Sequence, residues 1–341
     1  MEAVRKFLEE TQRNEKIAGM AVAITDREKV LFAQGFGVES VERAEVAVTP
    51  ASLFRIASIT KVVTGMTILS VAEEGKLSLD TRVKAILPWL TLTDKNTEEN
   101  VTLGHLLSHT AGLPAEYTPE GPREESALEP SLRTGLPDLE MQFPLGEGFL
   151  YSNWGIRLAS LVAEKVTGKC FTQLAYERVL QPLKMDRTTF DLHLAATYPI
   201  CLPHTEDNGV FRVFHKLQEN AARQAAGGLY SNAEDLCRLA RCLLNEGVSD
   251  AGTRLLQKAS IDEMKSPRGK PKAFDSYGIT LFGHKGENGQ VYFHPGSAPP
   301  YATSLYIHPA SGLGIVTLMN TQRDSLRHTI PNAILKILNK E

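Results

Sequence analysis

Leu53-Phe-Arg-Ile-Ala-Ser58-Ile-Thr-Lys61-Val-Val-Thr-Gly-Met-Thr-Ile-Leu-Ser-Val-Ala-Glu-Glu-Gly75 is the stretch from which the rest of the chain can be read. From Lys61 to Ala72 apolar residues fall on nearly every face of a helix, which predicts a helix buried all round and stopped at Gly75. Ser58 stands at its start, where backbone N–H groups lack intrahelical partners and the macrodipole favours developing negative charge. No other serine of the chain has a lysine three residues later. Residues i and i+3 are neighbours on a helix, so Lys61 can reach the Ser58 hydroxyl. A lysine enclosed by Val62, Val63 and Met66 would have its pKa lowered, which suits it to take a proton. Taken alone, the four residues fit equally a serine N-cap followed by an incidental surface lysine.

Outward from this helix, Val4, Phe7 and Leu8 mark an amphipathic helix over 3–15. The runs 19–25 and 30–33, joined by Asp26-Arg-Glu-Lys29, read as a β-hairpin. Residues 76 to about 244 mix helical segments (103–109, 153–167, 171–180, 232–245) with Pro/Gly-rich connections, the longest being 113–148. Strand patterns return at 277–283, 290–294, 301–308 and 313–319, and a helix over 330–338 closes the chain. Strands at both ends with helices between them predict an α+β fold, a three-layer sandwich. Its antiparallel sheet is built from the N- and C-terminal strands and flanked by helices. The expected division is a sheet lobe, 1–75 plus 245–341, and an inserted, mostly helical lobe, 76–244.

The length of 341 residues allows a sizeable core without disulfide or metal staples. Hydrophobic residues at 42% and charged residues at 23% match ordinary globular usage, which excludes a disordered, collagen-like or coiled-coil chain. The net charge is −3 without a basic run, so neither nucleic acid nor an anionic membrane surface is an expected partner. No stretch approaches the ~18 apolar residues of a membrane span. The N-terminus lacks the apolar region of a signal peptide. The four cysteines, Cys170, Cys201, Cys237 and Cys242, are irregularly spaced and read as reduced thiols. Together these features predict a cytoplasmic protein. His105-Leu-Leu-Ser-His109 has the spacing of a zinc helix but lacks the glutamate of His-Glu-x-x-His, and no metal or cofactor is expected. No Gly-x-Ser-x-Gly elbow is present, which disfavours an α/β-hydrolase.

The flank of Ser58, followed by Glu74-Gly-Lys-Leu-Ser-Leu-Asp80, resembles the penicillin-recognising serine hydrolases. The closer likeness is to their class C β-lactamase branch, with its D,D-peptidases, D-aminopeptidases and family VIII carboxylesterases. The resemblance runs along almost the whole chain, through 101–114, Gly146-Glu-Gly-Phe-Leu-Tyr-Ser-Asn153, Pro182-Leu-Lys-Met185, 226–236 and His294-Pro-Gly296. It implies that His105 and His109 are structural. It also implies a second motif, Tyr-x-Asn, which occurs twice. Tyr151-Ser-Asn153 follows a Gly-rich turn, leads into a helix and stands 93 residues after Ser58, the separation that the family leads one to expect. In Tyr230-Ser-Asn232, Ser231 or Asn232 better serves as a helix N-cap. By resemblance Tyr151 relays the proton with Lys61, while Asn153 hydrogen-bonds the substrate carbonyl and helps hold Lys61.

The third motif, Lys-Thr-Gly in true β-lactamases, takes the form His-x-Gly, again twice. His284-Lys-Gly286 lies in polar turn chemistry with three glycines. His294-Pro-Gly296 ends a strand and is the expected motif. Gly296 would let the backbone approach the substrate closely, and the Ser297 N–H would form an oxyanion hole with that of Ser58. The resemblance therefore implies a serine hydrolase cleaving ester or amide bonds through an acyl-Ser58 intermediate. A carboxylesterase acting on short-chain esters leads. The alternatives are a D,D-carboxypeptidase or D-aminopeptidase, a weak β-lactamase, and an idle homologue used as a binding module. The expected partner is a small-molecule ester, D-peptide or β-lactam; the sequence leaves the oligomeric state open.

Overall fold

The computed structural model describes residues 1–116, 120–216 and 219–339. Gly19–Thr25 (β1) and Val30–Gly37 (β2) form the expected hairpin. The remaining strands among the described residues are Phe54–Arg55 (β3), His204–Asp207 (β4), Val210–Val213 (β5), Tyr230–Ser231 (β6), Ser276–Tyr277 (β7), Phe282–Gly286 (β8), Gly289–Ala298 (β9), Tyr301–His308 (β10) and Leu313–Met319 (β11). Seven of them make one antiparallel sheet in the order β2-β1-β11-β10-β9-β8-β7. The pairing of β1 with β11, from Met20↔Met319 to Thr25↔Gly314, joins the two chain ends.

Side chains alternate across this sheet. Met20, Val22 and Ile24 of β1, with Ile315 of β11 and Tyr306 of β10, pack under Val4 and Leu8 of helix Glu2–Asn14 (α1). Ile330, Ile334 and Leu335 of helix Leu326–Leu338 (α5) complete that layer. Ala21 and Ala23, with Val316, Leu318 and Leu305, face the opposite core. That core is shared with the helix Thr60–Glu73 (α2), the helix Asn153–Thr167 (α3) and the helix Ala233–Leu244 (α4). Both faces of the sheet are covered, which is why β1 is buried at every position. The result is the α+β three-layer arrangement expected from the sequence. Helix α4 rests on β11, β1 and β10.

Three local expectations are corrected. The run 277–283 is not one strand: Thr280 turns the chain at φ +55, with its N–H on the Leu107 carbonyl at 3.2 Å. The strand resumes as β8 and includes the polar, glycine-rich His284-Lys-Gly286 that reads as a turn. Backbone pairing with β9, from Phe282↔Phe293 to Gly286↔Gly289, overrides that composition and leaves only the hairpin tip as a turn. The closing helix begins at Leu326 rather than near Ile330, with Pro331 inside it. Burial of Leu326 and Ile330 outweighs the hydrogen bond that Pro331 cannot donate. The connection 113–148 contains a helix, Leu128–Gly135, whose Leu128 and Leu132 are buried; residues 117–119 of it lie outside the described residues. No helix among the described residues is long and apolar enough to cross a membrane. All four cysteines are free thiols, with Cys201, Cys237 and Cys242 buried.

Candidate active site

Apolar residues on both sides fix the approach to Ser58. Leu53, Phe54 and Ile56 are fully buried. β3 pairs with β6, and the Ile56 N–H donates to the Leu229 carbonyl at 3.0 Å. The Ile56 carbonyl accepts from Thr303 Oγ1 of β10 at 3.0 Å. Ala57 then adopts φ +49, a conformation that L-residues rarely take, and Ser58 follows in a single 3-10 turn, Ala57–Ile59, that runs into α2. The start of the helix is where the sequence places it, and α2 is buried from Thr60 to Val71.

Lys61 is fully buried, and its Nζ lies 3.2 Å from Ser58 Oγ, 2.8 Å from Asn153 Oδ1 and 2.6 Å from the Ala226 carbonyl. Burial pushes its pKa well below that of an ordinary lysine, and the Arg223 guanidinium adds to the effect against the pull of Glu116. Asn153 Oδ1 and the Ala226 carbonyl can only accept, so each takes an N–H of Lys61. Once the amine sheds its third proton, its lone pair is left to face Ser58 Oγ. The orientation of the Asn153 amide is set by its Nδ2, which donates to the Glu116 carbonyl at 2.6 Å.

Tyr151 precedes α3, and Asn153 is the first residue of that helix. The Tyr151 ring lies under Lys61, with Nζ 4.8 Å from its centroid. Burial pushes the phenol's pKa up; Ser58, Arg223 and Arg327 pull the other way. Among the described residues its hydroxyl has no hydrogen-bond partner of normal geometry. The second Tyr-x-Asn is used differently. The Tyr230 hydroxyl donates to Glu219 at 2.9 Å, and Asn232 caps α4 by accepting from the Asp235 N–H at 2.8 Å.

His294 lies inside β9 rather than at a strand end, and the strand continues through Gly296 and Ser297. The ring is buried. Its Nδ1 is 2.8 Å from the Pro295 carbonyl and its Nε2 3.3 Å from the Tyr277 hydroxyl. A carbonyl can only accept, so the proton sits on Nδ1 and Tyr277 donates to Nε2. Burial, with Lys61 nearby, pushes its pKa down to about 3, so His294 is neutral at pH 7. The reason for glycine at 296 differs from that expected. A Cβ there would stand 2.1 Å from Thr303 Oγ1 and 2.3 Å from the Ile56 carbonyl, so glycine lets β9 press against the backbone leading to Ser58. His284 is partly exposed and pairs with Asp275 at 3.0 Å.

Ser58, Tyr151, Asn153, His294 and Ser297 line one cavity of about 370 Å³, and Lys61 closes its floor through Ser58 and Asn153. The cavity also holds residues that the sequence reading passes over: Arg55, Glu116, Asn220, Arg223 and Arg327. Glu116 forms a buried ion pair with Arg157 of α3 at 2.9 Å, and Arg223 stands 3.9 Å from the same carboxylate oxygen. An arginine in the apolar run Ile156–Ala163, four residues after Asn153, was a signal that could have found this pair. Arg327 enters because α5 begins a turn early, and its Nη1 lies 3.4 Å from the Gly296 carbonyl. His105 closes a capping box with Thr102, and His109 is buried against Tyr151. No group of acidic, histidine or cysteine side chains among the described residues could hold a metal ion.

The staphylococcal "Protein flp" of Staphylococcus aureus strain MW2 is 28% identical over 331 residues, covering 95% of this chain and 64% of that protein. The chain thus spans less than two thirds of that relative's length. "Penicillin-binding protein 4" of Amycolatopsis lactamdurans is 28% identical over 282 residues, 81% of this chain and 74% of its own. Among solved structures, the octameric penicillin-binding protein homologue from Pyrococcus abyssi superposes with a TM-score of 0.83 at 25% identity, covering 98% of this chain and 76% of that one. Residues 4–338 match the beta-lactamase family, and with nearly the whole chain matched this protein belongs to that family.

Proposed function

We propose that this protein hydrolyses ester or amide bonds through an acyl-Ser58 intermediate. The observation that carries the reading is the buried Lys61, whose Nζ lies 3.2 Å from Ser58 Oγ with Asn153 Oδ1 and the Ala226 carbonyl as its other partners, and whose pKa burial pushes well below that of an ordinary lysine. Lys61 takes the Ser58 proton as Oγ bonds to the substrate carbonyl carbon, and the carbonyl electron pair moves onto oxygen. The N–H groups of Ser58 and Ser297 hold that oxyanion. The tetrahedral species collapses, and Tyr151 passes the proton from Lys61 to the leaving oxygen or nitrogen. Water then attacks the acyl carbon with the same groups as base, releasing the acid and restoring Ser58. His294 has both ring nitrogens engaged, so its part is to hold β9 in place rather than to transfer a proton.

Short-chain esters are the leading substrates, since a neutral His294 offers no cation where true β-lactamases carry the lysine of Lys-Thr-Gly. A second reading, a substrate bearing a carboxylate such as a D-peptide or β-lactam, is favoured by one observation: the Arg327 guanidinium lines the same cavity beside Gly296. The test is a fluorophosphonate probe followed by peptide mapping, with a panel of p-nitrophenyl esters, D-alanyl peptides and a chromogenic cephalosporin at pH 7.5. Labelling at Ser58 and its loss with turnover in Ser58→Ala are expected. Labelling at another serine, or full activity in Ser58→Ala, overturns the reading. A kcat/KM for the cephalosporin at or above that for the esters overturns the ester preference alone.

A further inference from the structure

At its own hydroxyl end Tyr151 has no hydrogen-bond partner of normal geometry among the described residues, with the nearby Ser58 hydroxyl acting on it. Its orientation comes from its backbone and its ring; Lys61, Tyr277, Phe282 and His294 surround the ring, and His109 touches both ring and backbone. The His109 carbonyl accepts from the Leu150 N–H at 3.1 Å, and His109 Nδ1 accepts from the Ser152 N–H at 3.2 Å. Tyr151 is therefore gripped on either side. Between these two bonds the imidazole lies on the Tyr151 ring, with centroids 4.4 Å apart and planes at 45°. Tyr277 backs the imidazole, its ring centroid 4.9 Å away.

His109 itself sits at φ +61, which lets its carbonyl and its ring address the same neighbouring segment. The segment is aligned further along by Gly146 N–H on the Thr110 carbonyl at 2.9 Å and Gln142 N–H on the Gly112 carbonyl at 2.8 Å. Because Nδ1 accepts, the proton of the neutral ring is on Nε2, and that atom is buried without a partner. An unpaired buried donor costs stability, and an apolar ring in its place would avoid that cost. Packing alone gives no reason for a histidine here.

We propose that His109 is a positioning residue for Tyr151, holding the phenol toward Ser58 and Lys61 through the Ser152 N–H and the stacked ring. This rests on the reading of Tyr151 as the proton relay. The experiment measures kcat and KM for p-nitrophenyl butyrate, the rate of fluorophosphonate capture at Ser58, and Tm. The variants are His109→Ala and His109→Asn, each alone and with Tyr151→Phe. Asparagine tolerates the left-handed backbone and offers an amide oxygen to the Ser152 N–H.

A misplacement of ~1 Å can cost ~10²-fold in rate, so His109→Ala is expected to lower kcat and capture by at least ~10-fold, with KM changed less than ~3-fold. With Tyr151→Phe already in place the same change should add less than ~2-fold, because coupled groups are not additive. His109→Asn should recover most of the loss. Wild-type rates in His109→Ala, a loss that multiplies fully in the double variant, or no recovery by His109→Asn would each overturn the proposal. Should His109→Ala fail to fold, His109→Asn with and without Tyr151→Phe decides the coupling by the same criterion. If the wild-type protein is not captured at Ser58, acyl transfer itself is overturned. If it is captured and His109→Ala is captured as fast, only the role of His109 is.

Discussion

Gly296→Ala tests whether β9 and the nucleophile segment act as one rigid unit. The added Cβ would meet Thr303 Oγ1 at 2.1 Å and the Ile56 carbonyl at 2.3 Å, whereas ordinary contact begins at 3.4 Å. The hydroxyl can rotate away. The carbonyl is backbone, tied down by the β3–β6 pairing and by the Ile56 N–H on Leu229, so β9 and residues 54–58 must separate by about 1 Å. Ser58 lies two residues beyond Ile56, and Ser297 one residue beyond Gly296, so the separation falls between the two N–H groups assigned to the oxyanion. Loss of one such donor costs ~10²–10³-fold in kcat. Overpacking adds ~1–3 kcal/mol of destabilisation, a fall in Tm of several degrees at this chain length. The assay is p-nitrophenyl butyrate turnover together with fluorophosphonate capture and thermal unfolding. Gly286→Ala is the comparison: its nearest neighbours are His284 ring atoms at 3.7 Å, and it should leave kcat and Tm nearly unchanged. A Gly296→Ala protein with native Tm and kcat within ~3-fold of wild type would refute the coupling and the oxyanion assignment built on it.

The two tyrosines should separate in the same assays. Tyr151→Phe is expected to lower kcat by at least ~10²-fold, the scale of general acid–base help. Tyr230→Phe should leave kcat nearly intact and cost ~1–3 kcal/mol in urea unfolding, because Glu219 loses a buried donor. Lys61 has an ordinary pKa near 10.5 in the unfolded chain and one well below that in the fold. Its contribution to stability therefore rises with pH between the two values, by at most ~1.4 kcal/mol per pH unit. The stability of wild type relative to Lys61→Met should grow as the pH rises towards 10.5, and a flat difference would contradict a depressed lysine pKa. His294, depressed to about 3 in the fold, contributes stability that is present above pH 6.5 and lost on acidification towards 3. Urea midpoints from pH 6.5 to 4.5 should fall more steeply for wild type than for His294→Gln; equal slopes would mean that His294 is not held neutral.

Much of the fold is legible in the sequence because its signals are local. The short apolar runs of β1 and β11, the apolar turns of α2 and the polar turn 26–29 each report a local pattern or a tight connection, and each element lies where its pattern places it. Patterns misread here are those in which pairing or packing overrides composition. The glycines and charges of 282–289 look like a turn until β9 supplies backbone partners, and the closing helix reads as starting near Ile330 until the burial of Leu326 is known.

For the site, the sequence by itself determined the pair whose geometry is local: Ser58 and Lys61, three residues apart at the head of a buried helix. It also separated Tyr151 from Tyr230 and His294 from His284, through chain context and family likeness. The tertiary structure alone decided the electrostatics. The Lys61 pKa is held well below that of an ordinary lysine by burial and by the Arg223 charge; Ala226, Asn153 and Arg223 lie between 92 and 165 residues away in the chain, and no spacing rule encodes desolvation by such distant neighbours. The same holds for Arg327 beside Gly296, for the Glu116–Arg157 pair and for the His109 grip on Tyr151. Each joins segments whose approach depends on the whole core closing, and local periodicity carries no record of that distance.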